Sequence, residues 1–440
     1  MSSYVRKKTD GDTAWLVHDR FGMFIHFGLY SLPARHEWIK SMERISEEKY
    51  DLYFNLFNPD LIDVKAWARK CKEAGMKYAV LTTKHHEGFC LFDSKYTDYK
   101  ITNTPYGKDL VKEYVDAFRA EGIKIGLYYS LIDWHHPDYP IDVIHPRRDD
   151  GELLDKGRDV KKYAEYMRNQ VTELLTNYGK IDILWFDFTY ANPNAREILG
   201  FDKKNPPPDP FKKPWMQSNG GKSKDDWEAE KLLKLVRDLA PGIVVNNRLD
   251  LEGDTVTPEQ VGVGSWPKDE NGELLTWEVC HTFSGSWGYN RDEMTWKSPK
   301  TLIEILINTV ACGGNLLMNV GPNARGIFDY RADNALKTYA DWMKFNSRSI
   351  YGCTMAEPEF TAPEGTALTQ SEDGSRLYVH LINYEGKTLT LDNLSNVRYA
   401  QVLGDASEIL YTVNENGSVT FNLYEATPID VIPVIEILLK

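Results

Sequence analysis

The chain has 440 residues, a formal charge of −13 and an aromatic surplus with 12 Trp and 25 Tyr. That length accommodates one large domain and a small one, and the acidic balance argues against DNA, RNA or an anionic membrane surface as partner, since those need clustered Lys and Arg. No segment approaches the roughly 20 consecutive apolar residues of a membrane span.

The N-terminal Met1-Ser-Ser-Tyr-Val-Arg-Lys-Lys-Thr-Asp10 is charged and lacks the apolar region of a signal peptide. The first apolar run, Phe21-Gly-Met-Phe-Ile-His-Phe-Gly28, ends on a polar residue and a glycine. An amphipathic helix follows over 63–76, with Val64, Trp67, Ala68 and Cys71 on one face. Tyr78-Ala-Val-Leu-Thr-Thr83 then leads into Lys84-His-His-Glu-Gly88. A helix over 109–120 precedes Ile123-Lys-Ile-Gly-Leu-Tyr-Tyr-Ser130, and one near 158–178 precedes Ile181-Asp-Ile-Leu-Trp-Phe-Asp-Phe188. A helix over 229–239 precedes Gly242-Ile-Val-Val-Asn-Asn-Arg248, and a strand is expected around 274–280. Ser298-Pro299 is an N-cap and first-turn pair for a helix to about 311. Asn315-Leu-Leu-Met-Asn-Val320 and a helix over 331–347 complete the series.

Near-continuous apolar strands alternating with helices mean parallel strands covered on both faces. An open doubly wound sheet and a (β/α)8-like barrel both satisfy that pattern. Polar residues stand at many strand ends (His26, His85, His86, Tyr129, Asp187, Arg248). A barrel gathers all such ends on one face, whereas an open sheet uses mainly its switch point. No GxGxxG follows the first strand, so the barrel is favoured, irregular or with one strand unread. From Ala356 onward short β-rich runs alternate with turns about ten residues apart, the pattern of an antiparallel sandwich. The expected division is a catalytic barrel over 1–350 and a β-sandwich over 351–440. The five cysteines are scattered, odd in number and form no CxxC, which fits free thiols in a reducing, cytoplasmic setting.

Asp187 is the focus of the chemistry. An ionised carboxylate at the end of a buried strand, behind Trp185, needs a partner or a task. Beside a tryptophan in a barrel mouth it suggests sugar chemistry; an Asp that only caps a loop or pairs with an Arg is the plain alternative. Retaining glycoside hydrolysis takes two carboxyl groups about 5–5.5 Å apart, one attacking and one protonating. Asp187 is the nucleophile in that scheme, with Arg248 or protonated histidine to keep it ionised. Glu259, Glu278 and Glu37 all remain open as the acid. Trp38, Trp185 and Trp287 would form an apolar wall. His26, His85, His86 and Asp187 could also form a metal set, but adjacent strand residues point to opposite faces and the first strand carries no HxH pair. Neutral imidazoles binding sugar hydroxyls explain the same residues with no metal or other cofactor.

Together these segments resemble glycoside hydrolase family 29, the retaining α-L-fucosidases. The likeness runs through Arg20-Phe-Gly-Met-Phe-Ile-His-Phe-Gly28, Lys84-His-His-Glu-Gly-Phe89, Gly126-Leu-Tyr-Tyr-Ser-Leu-Ile-Asp-Trp134, Leu184-Trp-Phe-Asp187, Ser286-Trp-Gly-Tyr289 and Gly313-Gly-Asn-Leu-Leu-Met-Asn-Val-Gly321. It implies a barrel with a C-terminal β-sandwich and Asp187 as nucleophile. It further implies fucose binding by His26, Glu37, Trp38, His85, His86, Tyr129, Trp185 and Arg248, with Trp287 near the sugar's methyl group. Thr257-Pro-Glu259 resembles the acid/base motif of many bacterial members, which puts Glu259 first and Glu278 second. Gln260 and the Pro- and Lys-rich stretch at 201–224 depart from the pattern and leave the linkage preference open. The expected partner is a fucosylated oligosaccharide or glycoconjugate, with homo-oligomerisation undetermined. A fucose-binding homologue without turnover and a metal-dependent hydrolase are the readings from other classes.

Overall fold

The computed structural model describes residues 3–190, 221–262, 264–394, 396–423 and 431–439. All but the last four residues of the stretch at 201–224 lie outside them. Seven parallel strands form one curled sheet: β1 (Phe21–Ile25), β2 (Tyr78–Lys84), β3 (Lys124–Ser130), β4 (Ile183–Asp187), β5 (Val244–Val245), β6 (Glu278–Thr282) and β7 (Asn315–Val320). Their order across the sheet is β5-β4-β3-β2-β1-β7-β6. The covering helices begin where the capping residues stand. Asp63, Asp109 and Ser298 each accept a hydrogen bond from a backbone N–H of the first turn of helices Val64–Glu73, Leu110–Ala120 and Pro299–Ala311.

The gap between β5 and β6 is closed by an irregular extended segment. Asn246 bridges Thr255, Val256 bridges Trp277 and Glu259 bridges Cys280, all parallel. The segment follows β5 without an intervening α-helix, after the 3-10 turn Asn247–Leu249. Its entry needs Gly253, because a Cβ there would sit 2.5 Å from the backbone of Asn246. Pro258 offers only its carbonyl, which accepts from Cys280 N at 3.3 Å. A proline and a glycine in so short a strand hid it from the pattern, and this is the strand that carries Glu259.

Strands buried on both faces divide their side chains between two environments. Phe24, Tyr78, Val80, Tyr128, Ile183, Trp185, Val244, Cys280 and Leu317 fill the barrel interior. Met23, Leu81, Tyr129, Leu184 and Phe186 instead meet the surrounding helices. Asp187 follows Ile183 and Trp185 on the interior face and so opens into the barrel mouth. Among the described residues no helix is long and apolar enough to cross a membrane.

Eight more strands build two antiparallel sheets: β8 (Cys353–Met355), β9 (Thr366–Ser371), β10 (Arg376–Leu381), β11 (Thr388–Leu391), β12 (Val397–Val402), β13 (Tyr411–Val413), β14 (Val419–Asn422) and β15 (Val434–Leu439). One sheet runs β12-β15-β10-β9-β8, the other β11-β14-β13. Leu377, Val379, Leu389, Leu391, Phe421 and Ile435 pack between them, the layering of a sandwich. The other face of the larger sheet joins the barrel. Arg20 Nε donates to Cys353 O at 2.8 Å, and Trp342 Nε1 to Ile432 O at 2.9 Å.

Candidate active site

A cavity of about 560 Å³ opens at the carboxyl ends of the barrel strands. Its lining includes His26, Glu37, Trp38, His85, His86, Trp185, Asp187, Glu259 and Trp287. Residues far apart in the chain thus converge on one pocket, the face where barrels carry their chemistry. His85 and His86 both reach it because β2 ends at Lys84, so strict alternation no longer applies. Their ring centroids lie 3.9 Å apart.

Arg248 organises the two carboxylates. Its Nη1 donates to Asp187 Oδ1 at 3.1 Å, and its Nη2 donates to Glu259 Oε2 at 3.2 Å. Thr257 Oγ1 and the Thr257 carbonyl hold the rest of the guanidinium, whose carbon stands 5.0 Å from the Trp185 ring centroid. Asp187 also accepts from the Tyr128 hydroxyl at 2.8 Å on its other oxygen. The two acids differ in kind. Both Asp187 oxygens accept hydrogen bonds, one of them from a cation. Glu259 is pushed above the usual carboxylate range by burial, with Arg248 pulling it down and the Asp187 charge adding to the rise. Its side chain still keeps 44 % exposure, so water reaches it from the rim.

The histidines are neutral acceptors where their anchors can be read. His26 Nδ1 lies 2.6 Å from Asn319 Oδ1, and Asn319 spends its amide protons on Trp287 O. Nδ1 of His26 must therefore donate, leaving Nε2 with a lone pair. His86 Nδ1 lies 2.7 Å from Ser130 Oγ, whose proton goes to Ile132 O, with the same consequence. Burial pushes both histidines well below their ordinary range, with His85 adding repulsion. Glu37 is buried, anchored by Gly288 N on Oε2 at 2.9 Å, and its Oε1 accepts no hydrogen bond, with His36 Nδ1 3.3 Å away. A buried acceptor left open costs about 1–3 kcal/mol and suits a hydroxyl donor on a ligand.

Two expected positions move. Tyr129 is buried behind the sheet, its hydroxyl donating to Gln170 Oε1 at 2.8 Å on the helix Val160–Thr176. Register explains it: Tyr129 stands beside Phe186, whereas Tyr128 stands beside Trp185 on the interior face. Tyr128 is the tyrosine of the cavity. Glu278 lies under Trp185 and does not line the cavity. It accepts from Trp185 Nε1 at 3.1 Å and from the Tyr78 hydroxyl, and burial raises its pKa to about 7. It is a prop for the indole, with no path to a departing oxygen. His36 and Phe188, not singled out in the sequence, and Gln260, noted there only as a departure from the family pattern, also line the cavity, and all three adopt positive φ (117°, 81° and 50°). Such backbone costs of order 1–3 kcal/mol per residue and gathers at working sites. The strain has no sequence signal, although His36 does adjoin Glu37. Among the described residues no group of three or more His, Cys, Asp or Glu side chains is arranged to hold a metal ion. The five cysteines are free thiols.

Paired carboxylates under one arginine, walled by indoles and hydroxyl acceptors at a barrel mouth, define a glycoside hydrolase. The chain belongs to the alpha-L-fucosidase family, whose model matches residues 4–348. It is similar to the alpha-L-fucosidase of Dictyostelium discoideum, 29% identical over 77% of this chain and 71% of that protein. Human plasma alpha-L-fucosidase is 28% identical over 77% of this chain and 69% of its own length. Among solved structures, alpha-L-fucosidase isoenzyme 1 from Paenibacillus thiaminolyticus superposes with a TM-score of 0.86 at 42% identity, covering 97% of this chain and 98% of that one. A GH29 alpha-L-fucosidase from Bacteroides thetaiotaomicron, trapped as a covalent intermediate with 2-fluoro-fucosyl fluoride in a glutamate-to-glutamine mutant, reaches a TM-score of 0.81 at 26% identity, covering 100% and 98%.

Proposed function

We propose that the chain removes terminal α-L-fucosyl residues from fucosylated oligosaccharides or glycoconjugates by double displacement, with Asp187 as nucleophile and Glu259 as acid and base. The arrangement that carries this reading is the single guanidinium of Arg248 shared between the two carboxylates. The sugar enters with its hydroxyls toward His26, His86 and Glu37 and its C5 methyl toward Trp287.

In the first step an Asp187 oxygen attacks the anomeric carbon while Glu259 gives its proton to the departing oxygen. The attack turns Asp187 from an anion into a neutral ester. The Asp187 charge had been helping to hold the Glu259 proton, so its disappearance favours the Glu259 carboxylate. Glu259 is thereby ready to take a proton from the water that cleaves the ester. Water then attacks the anomeric carbon, fucose leaves, and both groups return to their starting states. Two inversions give net retention.

Asp187→Gly is the test. Turnover of an aryl α-L-fucoside should fall by at least about a thousandfold, and azide should restore it while yielding a fucosyl azide. Wild-type turnover in the variant would end the assignment. Glu259→Gln should spare substrates with good leaving groups, which need no proton, and impair the poor ones. Product analysis on α1,2-, α1,3-, α1,4- and α1,6-linked substrates would fix the linkage.

A further inference from the structure

From Lys84-His-His-Glu-Gly88 the mechanism uses His86, and the acid Glu87 stands without a role in it. Glu87 is 1% exposed, and neither carboxylate oxygen has a hydrogen-bond partner. Its Oε2 lies 3.6 Å from Nδ1 of His85, which is also buried and without a partner. Gly28 presses from the other side, where a Cβ would sit 2.7 Å from Glu87 Oε1. A buried carboxylate without a hydrogen-bond donor is costly to hold, and Glu87 also stands near Tyr30, Tyr50 and Tyr99, whose phenol pKa values burial and then its charge raise. The fold nevertheless keeps this one, and it points at the one cavity histidine that has no neutral anchor.

Of the four cavity histidines, His36 accepts at Nδ1 from Trp38 N; the other three differ in what stands behind Nδ1. His26 has an amide oxygen and His86 a hydroxyl, whereas His85 has a carboxylate. The groups facing His85 are His26 at 5.5 Å, Tyr30 at 5.3 Å, His86 at 3.9 Å and Tyr128 at 5.7 Å between ring centroids, together with Glu87. Imidazoles this close cannot all carry charge.

We propose that Glu87 is a positioning residue that takes the Nδ1 proton of His85 into a charge-assisted hydrogen bond in the loaded site, so that His85 donates from Nε2 to a sugar oxygen while His26 and His86 accept. The inference rests on the fucosidase reading of the cavity. The 3.6 Å separation closes by a small rotation as the sugar engages His85, since such contacts are long in empty sites and tighten on binding. A hydroxyl carries both a proton and lone pairs, and a site of acceptors alone would satisfy only the first. Glu87 supplies the missing polarity from behind.

The test is Glu87→Gln, which keeps the shape and can still accept from Nδ1 but cannot stabilise an imidazolium. Dissociation of L-fucose and KM for an aryl α-L-fucoside should both rise by about tenfold to a hundredfold, the loss of one charge-assisted hydrogen bond. The thermal midpoint should hold or rise, because an amide is cheaper to bury than a carboxylate. Nitrogen-15 spectra of histidine-labelled protein with L-fucose should show protons on both ring nitrogens of His85 in the wild type and on one in the variant. Glu87→Asp, with its shorter reach, should bind at an intermediate strength. Unchanged fucose binding, or the same His85 spectrum in both proteins, would overturn the proposal. A fall in midpoint with wild-type affinity in the remaining folded protein would make Glu87 merely structural. A wild-type protein that neither binds L-fucose nor cleaves the aryl fucoside would instead overturn the reading of the cavity on which the proposal rests.

Discussion

Two buried glutamates, one in each part of the molecule, are treated in opposite ways. Glu436 in β15 is 1% exposed and well satisfied. Arg348 Nη2 donates at 3.0 Å, Arg376 Nε stands at 3.3 Å, the Tyr378 hydroxyl donates at 3.2 Å and Gln401 Nε2 at 2.5 Å. Glu87 at the barrel mouth is equally buried, and both its oxygens lack partners. Glu37 Oε1 and His85 Nδ1 beside it are open too. A carboxylate that only supports a sheet is matched from all sides, because an unmatched one costs several kcal/mol. At the mouth Asp187 is satisfied by Arg248 and Tyr128, whereas Glu37 Oε1 and Glu87 have no hydrogen-bond donor.

Five substitutions break or sharpen that contrast, from the largest expected effect to the smallest. Arg248→Met should lower kcat/KM by about a hundredfold or more, since it strips the shared cation from both acids. It should also move the alkaline limb of the pH profile. The Arg248 charge favours the Glu259 carboxylate, so without it Glu259 keeps its proton to higher pH and the limb shifts upward. A limb that stays put or moves down would separate Glu259 from the acid role.

Glu436→Ala should cost about 2–3 kcal/mol in chemical denaturation, a modest figure because Arg348 and Arg376 are about half exposed and can rehydrate. Activity per folded molecule should not change. A loss of activity with stability intact would dissolve the distinction between the two regions.

Glu278→Gln tests the carboxyl that sits between those extremes, with two donors and no cation. Burial raises its pKa from 4.5 to about 7, so the folded state keeps a proton that the unfolded chain has released. Its contribution to stability is full below about pH 4.5 and is lost as pH rises through about 7, a change of about 3 kcal/mol. The glutamine variant should lose that slope. Equal slopes in both proteins would count against a protonated prop under Trp185.

Tyr128→Phe and Tyr129→Phe form the smallest pair. The first removes a donor from Asp187 and should reduce kcat/KM by about tenfold. The second should leave kinetics alone and cost about 1–2 kcal/mol of stability, because Gln170 Oε1 loses a buried donor. Reversed outcomes would put Tyr129 back at the sugar.

Much of this site was legible in the chain. Asp187, His26 and the His85–His86 pair end apolar strands, Glu37, Trp38 and Trp287 stand in loop motifs, and the cavity collects them all. Tyr129 was misplaced by one residue because a strand buried on both faces has no polar side to set its phase. Glu278 looked as available as Glu259 because both are glutamates near strands of the same barrel wall. Only the fold shows one at the rim and the other beneath an indole. The strained backbones of His36, Phe188 and Gln260 follow from the packing of loops around the mouth, which no local pattern encodes.

What the sequence by itself determined is the inventory: seven buried strands, their capped helices, a β-rich C-terminal run and the motifs that bear the acid and the imidazoles. Those are local properties, set by apolar period, caps and turn residues. What only the tertiary structure decided is pairing. The closing segment through Pro258 becomes a strand because β5 and β6 lie on either side of it, and that contact alone carries Glu259 to the arginine it shares with Asp187. Partnership between residues dozens of positions apart depends on which strand ends meet. That is settled by closing the barrel, and no stretch of chain contains it.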